Sequence, residues 1–201
     1  MQEIAPGIFH WKATHPRIKI EVSSYYLADS ATLLDPMVPP DEGLEWFDER
    51  PPERIVLTNR HHYREADRFR ERFDLPVSCN EVGLHEFEGG PQVDGFAIGE
   101  EVAPGVTAHE FGSICPDDTA LHVSTGPGFL AFADGVMRYG DLGFVPEEYM
   151  DDPEEVKRGV YANARLLLDL DFDGILVAHG DPQPSGGKEA LRRFVEQGSS
   201  G

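Results

Sequence analysis

The stretch Ile55-Val56-Leu57-Thr58-Asn59-Arg60-His61-His62-Tyr63-Arg64-Glu65-Ala66-Asp67 constrains the fold more than any other part of the chain. Three apolar residues make a short buried strand, and the chain then turns at once into a polar run holding two adjacent histidines. Beyond them Ala66, Phe69 and Phe73 recur at helical spacing, which puts the histidines between a strand end and a helix start. In open α/β sheets, ligands gather at such strand ends.

Around this stretch the chain alternates strand and helix signals. Residues 3–11 form an opening strand broken by a Pro-Gly turn. Alternation of Ile18, Ile20 and Val22 with charged residues predicts a half-exposed strand, and Tyr25–Leu27 and Thr32–Leu34 two more about a polar turn. Pro39-Pro40-Asp41 opens a short helix expected to run through Glu49. Pro76–Cys79 is a strand again, so strand, helix and strand in this order imply a parallel pair with a crossover.

From Val93 to Phe111 glycines and a proline punctuate hairpins, and Ala120–Val123 and Phe129–Ala133 make two more strands, the second ending in Asp134-Gly135. Asp152-Pro153-Glu154-Glu155 is a helix start with a capping acid, proline at the first helical position and acids toward the positive end of the dipole. Val156, Val160, Ala164 and Leu167 give that helix its buried face. An apolar strand from Gly174 ends in His179-Gly180, and a last helix over 188–196 buries Leu191, Phe194 and Val195.

At 201 residues and 40% hydrophobic, the chain can bury a core without disulfides or metal staples; one domain over 1–197 and a disordered tail over 198–201 are expected. Cys79 and Cys115 are too few and too far apart for a disulfide framework or a zinc clip. With no bilayer-length apolar run and no basic-then-apolar leader, a cytoplasmic protein is expected. Thirty-seven acidic against 17 basic residues give a formal net charge of -20, which repels phosphate backbones and anionic lipid; nucleic acid and membrane are excluded as partners and a small-molecule ligand is expected. A lysine-poor acidic surface suits a high-salt cytoplasm or is simply a soluble one.

The pattern at Thr58–Arg64, followed by His109-Glu110-Phe111-Gly112, by Asp134 at a strand end and by His179-Gly180 at another, resembles the metallo-β-lactamase-fold hydrolases. The resemblance spans nearly the whole chain and implies an α/β (α+β) class, a four-layer αββα sandwich of two face-to-face sheets with helices outside. Residue by residue it places His61 on a metal histidine, but Asn59, Tyr63, Arg64 and Ser113 where further ligands should stand. It therefore implies a metal set of His61, Asp134 and His179, enough for no metal or for one divalent ion (zinc, iron or manganese), with His62 or Asn59 as a further donor.

Two functions follow from that resemblance: a pocket with an eroded dinuclear site that binds a small anion through Arg64, or a hydrolase using a single ion. Arg64 is expected to neutralise Asp134 in a hydrogen-bonded ion pair, with Tyr63, Asn59 and Ser113 completing a polar network. Neighbouring histidines on a turn point apart, so His62 is expected at solvent or on the next helix. Asp35 reads as a turn-capping carboxylate, His109 as a locally bonded strand histidine and Cys115 as a packed thiol.

Overall fold

The computed structural model describes residues 1–198. Seven strands follow one another in order across the first sheet: β1 (Gln2–Ala5), β2 (Ile8–Thr14), β3 (Glu21–Leu27), β4 (Thr32–Leu34), β5 (Arg54–Val56), β6 (Val77–Asn80) and β7 (Asp94–Phe96). The first four pair antiparallel, and β4 to β7 run parallel. Helix α1 (Ala66–Phe73) makes the crossover from β5 to β6. The chain then builds a second sheet from β8 (Glu101–Ala103), β9 (Val106–Glu110), β10 (Thr119–Val123) and β11 (Phe129–Phe132). A small hairpin, β12 (Met137–Tyr139) with β13 (Asp141–Gly143), precedes α2 (Pro153–Leu167). Strand β14 (Gly174–Val177) closes the second sheet in parallel with β11, and α3 (Gly187–Gln197) follows.

Period-two alternation sorts consecutive residues into different layers. Tyr25, Leu34 and Val56 point between the sheets with Leu121, Ala131 and Leu176, while Tyr26, Leu33 and Ile55 point outward to Phe47, Ala66 and Phe69. On the second sheet Leu130 and Ile175 face away, against Val160, Ala164 and Leu167 of α2 and Leu191 and Phe194 of α3. Three apolar layers separated by two sheets make the αββα sandwich expected from the sequence. Helix α2 keeps its expected cap, with the Asp152 carboxylate accepting from Glu155 N at 3.1 Å.

Three expectations change. Ile18 and Ile20 are exposed in the loop before β3, and one unbroken strand carries Val22 through Leu27, because the buried Ser23 and Ser24 satisfy their hydroxyls on Gly180 O and Asp35 O. The helix expected from Pro39 is a short 3₁₀ turn, Leu44–Asp48. Gly198 caps α3 rather than beginning a tail, and residues 199–201 lie outside the described residues.

Parallel register fixes what meets at the strand ends. Phe132 pairs with Val177, so two residues further on Asp134 and His179 come abreast. Leu34 pairs with Val56 in the same way, which sets Asp35 beside Leu57 and Thr58. Tyr25 joins the two sheets, its hydroxyl donating to Val177 O at 2.8 Å and accepting from Val177 N at 3.0 Å.

Candidate metal centre

The turn after β5 is built by its own side chains. Asn59 Oδ1 accepts from His61 N at 3.0 Å and caps a 3₁₀ turn over Arg60–Tyr63. Asp35 takes Thr58 N on Oδ1 at 2.8 Å and the Thr58 hydroxyl on Oδ2 at 2.5 Å. Both Asp35 and Arg64 have positive φ, 47° and 48°, a conformation that costs energy in residues with a Cβ and clusters at functional sites.

This cap turns His62 inward. Its Nδ1 lies 3.0 Å from Asp35 Oδ2 and 3.0 Å from Thr58 Oγ1, and its Nε2 lies 3.2 Å from Asp134 Oδ1. From the other sheet His179 Nε2 reaches the same oxygen at 2.9 Å. Ligand atoms of His62, Asp134 and His179 all lie within 4.8 Å of one another. Asp134 Oδ2 accepts from Asn59 Nδ2 at 2.9 Å, and the second hydrogen of that amide goes to Asp118 Oδ1 at 2.8 Å. Side-chain exposures of 6% for His62, 10% for His179 and 24% for Asp134 make the carboxylate the open edge of the cluster.

Charges in the centre are tightly matched. Burial pushes the His62 imidazole down, but the carboxylates of Asp35 and Asp134 outweigh it and raise its pKa to about 9. Burial likewise works against ionised Asp134, yet His62 and His179 hold it well below the usual carboxylate range. Asp118 goes the other way: full burial and then the charge of Asp134 keep its carboxyl well above that range. Arg64 sits beneath, its guanidinium pushed down by burial and supported by the field of Asp35 and Asp134.

The residues singled out in the sequence divide accordingly. Asn59, His62, Asp134 and His179 meet. His61 does not join them: it is exposed, and His62 occupies the inward position expected for it, because the Asn59 cap sets the register of the turn. Nor does Arg64 pair with Asp134 directly; its Nη1 donates to the carbonyl oxygens of Ser23 at 2.7 Å and Asp35 at 2.8 Å. Tyr63 lies outside the network, donating to Asp67 at 2.5 Å and packing on Phe87. Ser113 instead accepts from Asn163 of α2 at 3.4 Å. His109 sets its ring edge against His122, and Cys115 is buried, its thiol donating to Asp117.

Two carboxylates had been undervalued. Asp35 is a partner of His62 as well as a turn residue. Asp118 was missed, because two acids directly before the apolar β10 read equally as a solvated turn; in the fold both are fully buried, and Asp117 takes the backbone N–H and guanidinium of Arg60.

The donor set fits a divalent ion. Both neighbours of His62 Nδ1 are oxygens, one of them anionic, so Nδ1 carries hydrogen and Nε2 faces Asp134; such an outer carboxylate is the usual companion of a metal-binding histidine. Three polar atoms of the region, Asp118 Oδ2, His179 Nδ1 and Arg64 Nη2, are buried without a hydrogen-bond partner. Two imidazoles and a carboxylate suit zinc, iron or manganese.

The sequence matches no family model and no curated protein. Solved structures match in fold. TMB-1 superposes with a TM-score of 0.73 at 11% identity, covering 99% of this chain and 97% of its own. TTHA1623, solved in a di-iron-bound form, gives 0.68 at 20% identity, covering 90% and 96%. A metallo-β-lactamase from Cronobacter sakazakii, a mutant of its HARLDQ motif, gives 0.66 at 16% identity, covering 99% and 93%. With this likeness over nearly the full length, the two sheets, their outer helices and the strand-end cluster make the chain a protein of the metallo-β-lactamase fold.

Proposed function

We propose that this is a hydrolase-like protein in which the two-ion site of the fold has eroded to one divalent-cation position, held by His62, Asp134 and His179. The observation that carries this reading is convergence: two imidazole Nε2 atoms aim at one Asp134 oxygen while Asp35 holds the far side of His62. An ion bound there supplies Lewis acidity toward water or a carbonyl. The chain's own residues do the rest. Asp35 fixes the His62 ring, Asn59 orients Asp134, and its other amide hydrogen holds Asp118, whose carboxyl is kept well above the usual carboxylate range by burial and by Asp134. Arg64 contributes a fixed positive charge near the carboxylates, and a second ion is disfavoured beside it.

A second reading, binding of a small anion, is favoured by one observation: Arg64 Nη2 is buried and still offers its hydrogens. Against it, Nη1 is taken by two carbonyl oxygens. On either reading the partner is a small molecule, since a net charge of -20 disfavours nucleic acid and anionic lipid. Among the described residues no helix is long and apolar enough to cross a membrane.

Equilibrium dialysis of the purified protein against zinc, manganese and ferrous iron, with metal counted per chain, tests the first reading. One ion per chain is expected, lost in His62→Ala and kept in His61→Ala. Failure of the native protein to retain any of the three ions sinks it. The anion reading then stands or falls on whether phosphate or a simple carboxylate raises the melting temperature in the native protein but not in Arg64→Gln.

A further inference from the structure

Away from the metal centre, between the β12–β13 hairpin and α3, lies a cavity of about 340 Å³. Arg138, Arg193 and Gln183 line its walls, and Leu142 and Phe194, 7% and 2% exposed, make an apolar floor. We propose that this cavity binds a small organic monoanion, an apolar body carrying one carboxylate.

The argument begins with Arg138. Its Nε donates to Gln183 Oε1 at 3.1 Å, and its Nη1 to the carbonyl oxygens of Asp181 at 3.2 Å and Pro182 at 3.4 Å. All three acceptors are uncharged, so they fix the plane of the guanidinium without neutralising it. The nearby Asp181 carboxylate pairs with Lys12 at 2.7 Å. On the facing helix Arg193 approaches Glu189 only to 3.7 Å, and that carboxylate also pairs with Arg192. The cavity therefore holds two arginines that are incompletely compensated, in a chain whose net charge is -20. A planar, preorganised guanidinium matches a carboxylate better than it matches a neutral group.

Size and the remaining charge narrow the ligand. A volume of about 340 Å³ is at the small end for organic ligands and suits an acid built on a single ring. Asp141 is exposed and also lines the cavity, so a dianion would meet a like charge that a monoanion meets more weakly. The site is also wired to the metal centre through the backbone. Arg138 N donates to His179 O at 3.1 Å, and Arg138 O accepts from Asp181 N at 2.9 Å. A Cβ on Gly180 would run into that Arg138 oxygen, which keeps the two segments in close contact.

The test uses benzoate as the probe, with benzamide as its neutral isostere, titrated into the full-length protein and followed by amide chemical shifts. Saturable shifts centred on Arg138, Arg193 and Gln183 are expected with benzoate, and binding of benzamide roughly tenfold weaker or more. Arg138→Gln and Arg193→Gln should each weaken benzoate by a similar factor. Arg193 is 58% exposed, so its variant reports on binding even where Arg138→Gln disturbs the fold. His61→Ala, an exposed position outside both sites, should leave benzoate affinity unchanged. Equal affinity for the two probes, no saturable binding, or benzoate affinity unchanged in both arginine variants overturns the proposal.

Discussion

The two sheets bring the centre together in different ways. From the second sheet Asp134 and His179 arrive as direct continuations of β11 and β14, two residues past strands paired in parallel register. From the first sheet His62 arrives on a 3₁₀ turn that holds two positive-φ residues in its surroundings and depends on side-chain caps. One half is positioned by the sheet itself, so backbone hydrogen bonds guarantee it. The other half is positioned by a buried carboxylate and an amide, so it depends on a few specific polar atoms.

The largest expected effect follows from that difference. Asp35→Asn removes the charge that faces His62 at 3.0 Å and weakens acceptance from Thr58, all in a site where Asp35 is 3% exposed. Breaking one partner out of a buried ion pair costs roughly 3–5 kcal/mol. Asp134→Asn should cost clearly less, because that carboxylate is 24% exposed and water screens the change there. Urea unfolding of the two variants, in chelator, ranks them. A larger loss in Asp134→Asn would mean that the strand-end half, not the turn, carries the stability of the centre.

A smaller and pH-dependent effect tests the joint between the halves. His10 of β2 meets Ser23 Oγ at 2.9 Å, and Ser23 passes its hydrogen to Gly180 O at 2.8 Å, beside His179. Burial, then the charge of Lys12, lowers the His10 pKa from 6.5 to about 4. Between those values the unfolded chain binds a proton that the folded chain refuses, so this contribution to stability is complete above pH 6.5 and is lost as pH falls toward 4. Unfolding free energies measured from pH 7.5 to 4 should fall less steeply in His10→Phe than in the native protein. Parallel curves would show that His10 titrates normally and that the joint is open to water.

How much of this was legible in the sequence divides along the same line. Asp134 before Gly135 and His179 before Gly180 could be placed because each closes an apolar run whose period and length announce a strand. Asp118 announced itself less clearly, since two acids before a strand read equally as a solvated turn until burial is known. The choice between His61 and His62 was not legible at all. It turns on a one-residue register in a 3₁₀ turn, and that register is set by Asn59 Oδ1 accepting from His61 N and by Asp35 waiting for an imidazole. Arg64 could be recognised as a cation near the centre, but its acceptors are backbone carbonyls on Ser23 and Asp35, which carry no side-chain signature.

The smallest expected effect is the one that decides that register. His61 is exposed and joins the turn through its backbone N–H, which alanine retains. His61→Ala should therefore change unfolding free energy by no more than about 0.5 kcal/mol, the range of surface substitutions away from special contacts. His62→Ala removes a ring held by Asp35, Thr58 and Asp134 and leaves buried Asp35 and half-buried Asp134 without the cation between them. The pair of substitutions at adjacent positions thus isolates direction from composition, since both delete one imidazole from the same turn. Comparable losses in the two variants would mean that the turn samples both registers, with His61 and His62 exchanging places at Asp134.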